Sequence, residues 1–318
     1  MKNTVLITGV LGFVPSSLAI ELLQKGYKVV GIDNFLTGSV RNIEAIKDHP
    51  DFFFERGDAN RFDDLYPLFF DHSPDFVYHY AACVGVKRTL DNPLWVLEDI
   101  KGFEAILNLC KDFKVKKTFF SSSSEVYGEP VELPQVENTT PLNSKLPYAV
   151  VKNVGEVYFK TWHREYGLNY CIFRFFNTYG PNQSLDFVIS KFMRQAILGE
   201  PITVYGDGSQ TRTFCYIDDN VETTIKAMNH PLLHNEVVNI GSAVITTVLE
   251  LAELIIRIAD SNSEIIHLPP LEEGDMTRRQ PANDLMLEVL GRKDLVSLED
   301  GLKRTFAVLK DKLVQVEN

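Results

Sequence analysis

A strand, a glycine-rich turn, a helix and a second strand open the chain, and their order constrains the fold more than any other feature. Residues 5–8 form a short apolar β segment, which Gly9 and Gly12 follow. Apolar side chains then recur at helical spacing over residues 16–25, and residues 28–32 are typical of a second strand. This order predicts a βαβ unit whose turn approaches a dinucleotide pyrophosphate at the N-terminus of the helix.

An acidic residue, Asp33, ends this unit at the distance that dinucleotide binding requires. A carboxylate there accepts hydrogen bonds from ribose hydroxyls and repels a 2′-phosphate, so we expect NAD rather than NADP. Pro15 stands where a third glycine normally allows close packing of the helix on the strand. Proline in a first helical turn removes no helical hydrogen bond, so we expect the turn to survive and Pro15 to act on cofactor affinity.

Strands and helices continue to alternate along the chain. Further strands are predicted at 52–56 and 76–79, and further helices at 65–70 and 94–113. This alternation predicts an α/β fold with a Rossmann-type doubly wound parallel sheet. The pattern changes near residue 176. We therefore expect an NAD-binding domain over residues 1–176, with residues 214–241 packing back on it, and a smaller α/β substrate-binding domain over residues 177–318.

The composition excludes several classes of partner. A formal net charge of −11 argues against a general surface for nucleic acid or for an anionic membrane. The four cysteines are widely spaced, so neither a metal site nor a disulfide framework is expected. The N-terminus passes directly into a strand without a targeting segment. These features predict a reduced, cytoplasmic setting.

Residues 118–152 carry polar side chains that the fold alone does not require. An apolar strand at 118–120 runs into four serines at 121–124 and then Glu125. Hydroxyls and a carboxylate at the carboxyl end of a strand are placed to meet a ligand in an open α/β sheet. Tyr148 and Lys152 lie four apart on a predicted helix and therefore share one face.

A series of motifs in one order carries a family resemblance. The motifs are Thr8-Gly9-x-x-Gly12-Phe13, Asp33-Asn34, Gly57-Asp58, Ala81-Ala82, Ser122 to Gly128, Tyr148-x-x-x-Lys152, Phe176 to Pro181, and Tyr205 to Arg212. Over nearly its whole length the chain resembles the extended short-chain dehydrogenase/reductase family, the NAD-dependent nucleotide-sugar epimerases, dehydratases and decarboxylases.

The resemblance implies roles for the matching catalytic positions. Tyr148 would be the base that takes a proton from a sugar hydroxyl, with its pKa lowered by Lys152 and by the positive nicotinamide ring. Lys152 would also hold the nicotinamide ribose. Ser123 would hydrogen-bond the reacting hydroxyl, and Ser124 and Glu125 would act in the step that follows oxidation.

The resemblance also implies the binding residues. A nucleotide-sugar substrate, with a UDP-sugar favoured, would be held at its diphosphate by Asn177 and Arg212, with Arg278 or Arg279 as a second clamp. The residues implied for NAD are Gly9, Gly12, Phe13, Val14, Asp33, Asn34, Asp58, Ala59, Ala81, Ala82, Tyr148 and Lys152.

The specific reaction depends on two residues. Family members share hydride transfer from C4 of the sugar to NAD, which gives a 4-keto sugar. Simple 4-epimerases usually carry a small apolar residue where this chain has Glu125, and 4,6-dehydratases most often carry Asp where this chain has Ser124. These differences favour a UDP-glucuronate decarboxylase-like enzyme. A 4-epimerase, a 4,6-dehydratase and a non-catalytic NAD-binding protein remain alternatives.

Two predicted helices, at 94–113 and 147–166, suggest the oligomeric state. Their apolar stripes match the positions at which the family forms a two-fold dimer through a four-helix bundle. The sequence therefore predicts a homodimer.

Overall fold

The central element is a seven-stranded parallel sheet. The computed structural model describes residues 2–85, 89, 92–269 and 278–316. The strands of this sheet are β1 (Thr4–Thr8), β2 (Lys28–Asp33), β3 (Phe52–Arg56), β4 (Phe76–His79), β5 (Lys117–Ser123), β6 (Tyr170–Phe175) and β11 (Glu236–Ile240). Their order across the sheet is β11-β6-β5-β4-β1-β2-β3, and each neighbouring pair is parallel. The predicted Rossmann-type doubly wound sheet is confirmed.

Helices cover both faces of this sheet because its strands are buried on both sides. The helices within the described ranges, including those outside the main sheet, are α1 (Phe13–Gln24), α2 (Phe62–His72), α3 (Pro93–Asp112), α4 (Pro147–Tyr166), α5 (Val188–Leu198), α6 (Ile217–Lys226), α7 (Val248–Ala259), α8 (Asp284–Leu290) and α9 (Leu298–Val316). Alternate residues of β1 enter two separate cores: Val5 and Ile7 pack with α1 and α6, and Leu6 packs with α2, α3 and α4. Both faces therefore contribute to the free energy of folding.

The chain after β6 contributes to two regions. Its strand β11 pairs with β6 at the edge of the main sheet. Two hydrogen bonds tie α6 and the turn after it to that sheet, from the Tyr78 hydroxyl to the Thr224 carbonyl (2.8 Å) and from Lys117 Nζ to the Ala227 carbonyl (2.7 Å). The remaining strands form short ladders outside the main sheet. They are β7 (Thr178–Tyr179) with β10 (Cys215–Tyr216), β8 (Ile202–Tyr205) with β13 (Ile265–Leu268), and β9 (Thr211–Thr213) with β12 (Ile245–Thr247).

Strand β5 is longer than the sequence predicted. It was expected over residues 118–120, yet it runs to Ser123 because Ser121, Ser122 and Ser123 remain paired with β6. A 3₁₀ turn, Ser124–Tyr127, follows at once. The serines therefore belong to a rigid strand end. Across the described ranges, none of the helices is long and apolar enough to cross a membrane.

Candidate active site

A cleft of about 720 Å³ lies at the carboxyl ends of the parallel strands. The sheet order reverses between β1 and β4, and ligands of open α/β sheets bind at such a switch point. The cleft brings together most of the predicted site residues, namely Gly9, Gly12, Phe13, Val14, Asp33, Asn34, Asp58, Ala59, Ala81, Ala82, Ser123, Ser124, Glu125, Tyr148, Lys152, Asn177 and Arg279.

The turn after β1 has the geometry of a dinucleotide cradle. Gly9 has φ +73°, and a Cβ atom there would lie 2.8 Å from the Cα of Ala81. The turn can therefore pack this closely against the Ala81 backbone only because this residue is glycine. Gly12 is the N-cap of α1, so the unpaired N–H groups of the first turn point toward the cleft.

The Asp33 carboxylate stabilises this turn. Its Oδ2 accepts a hydrogen bond from the Leu11 N–H (3.0 Å), and its Oδ1 accepts one from the Phe35 N–H (2.8 Å). Burial raises the pKa of Asp33, and these two N–H groups partly offset that rise. The residues of this half of the cleft fit the adenosine and pyrophosphate portions of NAD.

Pro15 lies in the first turn of α1 and lines the cleft. Helix α1 begins at Phe13, three residues earlier than predicted, and the Ser16 N–H still donates to the Gly12 carbonyl (3.1 Å). The expected survival of the turn is therefore confirmed. The proline ring packs tightly against the glycine turn, since a Cβ at Gly12 would lie 3.1 Å from the Pro15 Cγ.

A close approach between α4 and β5 forms the other half of the cleft. A Cβ atom at Gly155 would lie 2.3 Å from the Cζ of Phe120, so glycine allows the helix to pack directly on the strand. This approach brings Tyr148 and Lys152 of α4 to the end of β5. Ser123 caps the 3₁₀ turn there by accepting a hydrogen bond from the Glu125 N–H (3.2 Å).

The environment of Tyr148 opposes its ionisation. Burial and then the negative charge of Glu125 raise the pKa of Tyr148, while a hydrogen bond with Ser123 lowers it. The sequence predicted a lowered pKa, and the protein alone does not provide it, because the phenol is desolvated. Of the two positive charges that the prediction named, only that of the bound nicotinamide is left to lower the pKa of Tyr148.

The Lys152 ammonium is buried beside the tyrosine. Its Nζ lies 5.7 Å from the centroid of the Tyr148 ring and donates to the Ser121 hydroxyl (3.4 Å). Burial lowers the pKa of Lys152 to about 8, while the negative charge of Asp99 raises it. Lys152 can therefore supply a positive charge to the cleft near neutral pH.

An ion pair between a buried arginine and a partly exposed glutamate lies next to these groups. The Nη1 of Arg279 is 3.6 Å from the Oε1 of Glu125. In the described part of the chain, the buried Nε of Arg279 has no hydrogen-bond partner, so this guanidinium retains a free donor. Ser124 beside them is buried as well. This end of the cleft can thus bind an anionic group.

The two other predicted arginines lie elsewhere. Arg212 is on β9 and is absent from the cleft lining, although it is close enough to Arg279 for electrostatic repulsion. Burial and then that repulsion lower the pKa of Arg212 to about 10. Arg278 lines a separate open pocket formed with residues 129–133. Asn177 lines the cleft and donates from Nδ2 to the Thr213 carbonyl (3.1 Å).

Asp99 is a cleft residue that the sequence did not indicate. It is on α3, and its Oδ2 accepts a hydrogen bond from the Cys83 N–H (2.9 Å). Its negative charge favours the charged form of Lys152. In the sequence it is one charge on an amphipathic helix, and only the tertiary fold brings it to Lys152.

The fold and the cleft define a Rossmann-type dinucleotide-binding protein. A model of the NAD dependent epimerase/dehydratase family matches residues 5–241. The chain therefore belongs to this family, which confirms the resemblance seen in its motifs. It is an NAD-dependent enzyme.

Individual relatives match nearly the whole chain. UDP-N-acetyl-alpha-D-glucosaminuronate decarboxylase of Bacillus cytotoxicus is 35% identical over 96% of this chain and 97% of its own length. UDP-glucuronic acid decarboxylase 1 of Danio rerio is 33% identical over 100% of this chain and 75% of its own length. Among solved structures, UDP-glucuronic acid 4-epimerase from Bacillus cereus, in complex with UDP-glucuronic acid and NAD, is 30% identical, with a TM-score of 0.89 and coverage of 97% of this chain and 99% of that one.

Proposed function

We propose that this enzyme decarboxylates a UDP-glucuronate-type nucleotide sugar after oxidising it at C4. The observation that carries the proposal is the Glu125–Arg279 ion pair beside Ser124, at the end of the cleft next to Tyr148. An arginine with a free buried donor fits a sugar carboxylate, because guanidinium binds carboxylate through charge-assisted hydrogen bonds. The decarboxylases among the relatives support the same substrate class.

The first step needs a base at the C4 hydroxyl. Tyr148, as phenolate, would take that proton, and Ser123 would hold the hydroxyl in place. Because burial and Glu125 raise the pKa of Tyr148, the phenolate once formed is a strong base. Bound NAD supplies the acceptor for the C4 hydride. Lys152, held by Ser121, would hold the nicotinamide ribose.

The second step follows from the C4 ketone. A C6 carboxylate β to a ketone loses carbon dioxide when the C5–C6 bond breaks and its electrons form the enolate over C5 and C4. A proton must then reach C5. Glu125 fits this role because its side chain is 16% exposed and can exchange protons with solvent. Return of the hydride to C4 and of the Tyr148 proton to oxygen completes a UDP-pentose.

A 4-epimerase is the second candidate function. It is favoured by the likeness to a UDP-glucuronic acid 4-epimerase along the full length of the chain. In that case Arg279 would retain the carboxylate while the keto sugar turns over. Dehydration is disfavoured because Ser124 is a poor general acid for a departing hydroxyl.

We propose that two parts of the chain bind different ligands. Residues 1–176, with 214–241 packed against them, would bind NAD, and residues 177–318 would bind the substrate, with Asn177 and Arg212 at the nucleotide diphosphate and Arg279 at the sugar carboxylate. Arg278 lines a pocket outside the cleft and is therefore not assigned a role in the site. A cytoplasmic location is supported by four free cysteines.

We also propose a homodimer formed through α3 and α4. These helices pack side by side on one face of the sheet. They leave Leu94, Leu97, Val150 and Val157 exposed. A second copy would bury these side chains in a four-helix bundle.

A panel of substrates tests the proposed reaction. The purified protein is incubated with NAD and, separately, UDP-glucuronate, UDP-N-acetylglucosaminuronate, UDP-glucose and GDP-mannose, and the product masses are read. We expect loss of carbon dioxide from a uronate substrate. An isomer of unchanged mass would support the epimerase instead, and loss of water would support a dehydratase.

A further inference from the structure

A chain of buried polar side chains runs beneath the cleft, and of its members Ser122 lines the cleft, whereas Glu156, Arg174, Tyr127 and Asn239 do not. Its first part is an ion pair between Glu156 of α4 and Arg174 of β6. Arg174 donates from Nε to the Glu156 Oε1 (2.9 Å) and from Nη2 to the Glu156 Oε2 (2.8 Å). The Ser122 hydroxyl also donates to the Glu156 Oε1 (2.7 Å). The helix that carries Tyr148 and Lys152 is therefore tied to the strand end that carries Ser123.

The Tyr127 hydroxyl continues this chain of contacts. It accepts a hydrogen bond from the Arg174 Nη1 (2.9 Å) and donates to the Asn239 Oδ1 (2.8 Å). Tyr127 is the last residue of the 3₁₀ turn that contains Glu125. One hydroxyl thus links the ion pair, the turn and strand β11.

Asn239 connects the chain of contacts to the segment that follows Arg279. Its Nδ2 donates to the carbonyls of Gln135 (2.9 Å) and Ala282 (3.3 Å). Gln135 in turn holds the same segment through two backbone hydrogen bonds, since its N–H donates to the Gln280 carbonyl (2.7 Å) and its carbonyl accepts from the Ala282 N–H (2.8 Å). The position of the Arg279 backbone therefore depends on this chain of contacts.

We propose that Tyr127 is a positioning residue that fixes the Glu125–Arg279 pair relative to Tyr148 and so controls the step after C4 oxidation. The inference rests on the proposed function. Both ends of the chain of contacts lead to reacting groups: α4 carries the residues for oxidation, and residues 280–282 adjoin Arg279. The hydroxyl joins these two ends, so its removal uncouples the second step from the first.

The Tyr127→Phe variant isolates this role. The ring of Tyr127 packs against Phe176 and is retained by phenylalanine. In this variant Arg174 Nη1 keeps its hydrogen bond to the Glu137 carbonyl (2.9 Å), so this buried nitrogen still has an acceptor. Tyr78→Phe is the matched control, because it also removes a buried tyrosine hydroxyl bond, to the Thr224 carbonyl, at a position outside the cleft lining.

The test compares two rates in each protein with UDP-glucuronate and bound NAD. Rapid-mixing absorbance follows the formation of reduced nicotinamide, and mass spectrometry follows the final product and any released keto sugar. We expect Y127F to form reduced nicotinamide within about twofold of the wild-type rate and to complete the second step at least about tenfold more slowly. Y78F should keep the wild-type ratio of the two rates.

An unchanged ratio of the two rates in Y127F, including equal slowing of both steps, would overturn the positioning role. If Y127F does not fold, Asn239→Ala breaks the same chain of contacts at its other end and is judged by the same ratio. Failure of the proposed function can be told apart from failure of the positioning role. A wild-type protein that releases no carbon dioxide contradicts the proposed reaction. The positioning role is still tested in that case, because the ratio of the two rates can be measured for whichever product forms.

Discussion

At the scale of single residues, the buried ammonium of Lys152 costs the folded protein stability. Burial lowers the pKa of Lys152 to about 8 from 10.5. Below pH 8 both the folded and the unfolded chain hold this proton, and the folded chain bears the full cost of burying the charge, roughly 3 kcal/mol for such a shift. Between pH 8 and 10.5 the folded chain releases the proton first, so the cost declines.

Replacing Lys152 by Met should therefore stabilise the cofactor-free protein at pH 7 by about 3 kcal/mol. The advantage of K152M should shrink as the pH rises through 8 toward 10.5. Denaturant unfolding at several pH values measures the difference in free energy of unfolding between K152M and the wild type. Lys101→Met, at an exposed position on α3, is the control. A difference that stays constant with pH would contradict the assignment of the lowered pKa to Lys152.

Single residues also show what the sequence could not predict. Tyr148 and Lys152 were found because their spacing on one helix matches a motif of the family that the chain resembles. Asp99, Arg174 and Asn239 were not found, because each reaches its partner through tertiary packing between segments far apart in the chain. Arg278 and Arg279 are adjacent in sequence and could not be told apart, yet only Arg279 enters the cleft.

At the scale of elements, the position of α4 on β5 decides where the catalytic pair lies. Gly155 stands between Lys152 and Glu156 on this helix and contacts Phe120 directly. Gly155→Ala would place a Cβ atom 2.3 Å from the Phe120 Cζ, so the helix must shift outward. We expect a loss of about 1–3 kcal/mol in the free energy of unfolding and slower C4 oxidation.

Thermal unfolding and the rate of reduced nicotinamide formation check the Gly155→Ala prediction. Asn153→Ala, on the same helix, is the control and should change both little. Unaltered stability and rate in G155A would show that α4 does not depend on this close approach.

Replacing Pro15 in helix α1 should lower the stability of the protein and raise its affinity for NAD. Pro15 fixes the backbone of the first turn, so Pro15→Gly should lower the free energy of unfolding by about 1 kcal/mol. The ring also lies in the cleft wall, so its removal should raise NAD affinity severalfold. Calorimetric titration with NAD and denaturant unfolding measure the two effects. Weaker NAD binding by P15G would contradict the expectation that the ring crowds the cofactor.

Most elements of the main sheet could be predicted, because the spacing of apolar residues and the glycines at turns are local features of the sequence. Strands β3 and β4 and helix α4 have the predicted bounds. The extension of β5 to Ser123 was missed because polar residues remain in a strand only when a neighbour pairs with them. The two- and three-residue strands β7, β9 and β12 are defined by tertiary pairing and leave no pattern in the sequence.

At the scale of the whole molecule, the exposed apolar side chains of α3 and α4 suggest the assembly. Val157 is 57% exposed on α4. Val157→Lys should convert the proposed dimer to a monomer, because it places a charge in the four-helix bundle. Phe70→Lys, at a 65% exposed position on α2, is the control and should leave the dimer intact. Light scattering measures the mass, and a monomeric wild-type protein would contradict the dimer.

The central claim concerns the fate of the 4-keto sugar, and one measurement tests it most directly. Wild-type protein and Glu125→Gln are each supplied with NAD and UDP-glucuronate, and carbon dioxide and the nucleotide-sugar product are quantified together. The proposed function predicts one carbon dioxide for each UDP-pentose from the wild type, and carbon dioxide in excess of slowly formed UDP-pentose from E125Q, because the proton donor to C5 is lost. A wild-type product that keeps its carboxylate, as an isomer of unchanged mass, would contradict it.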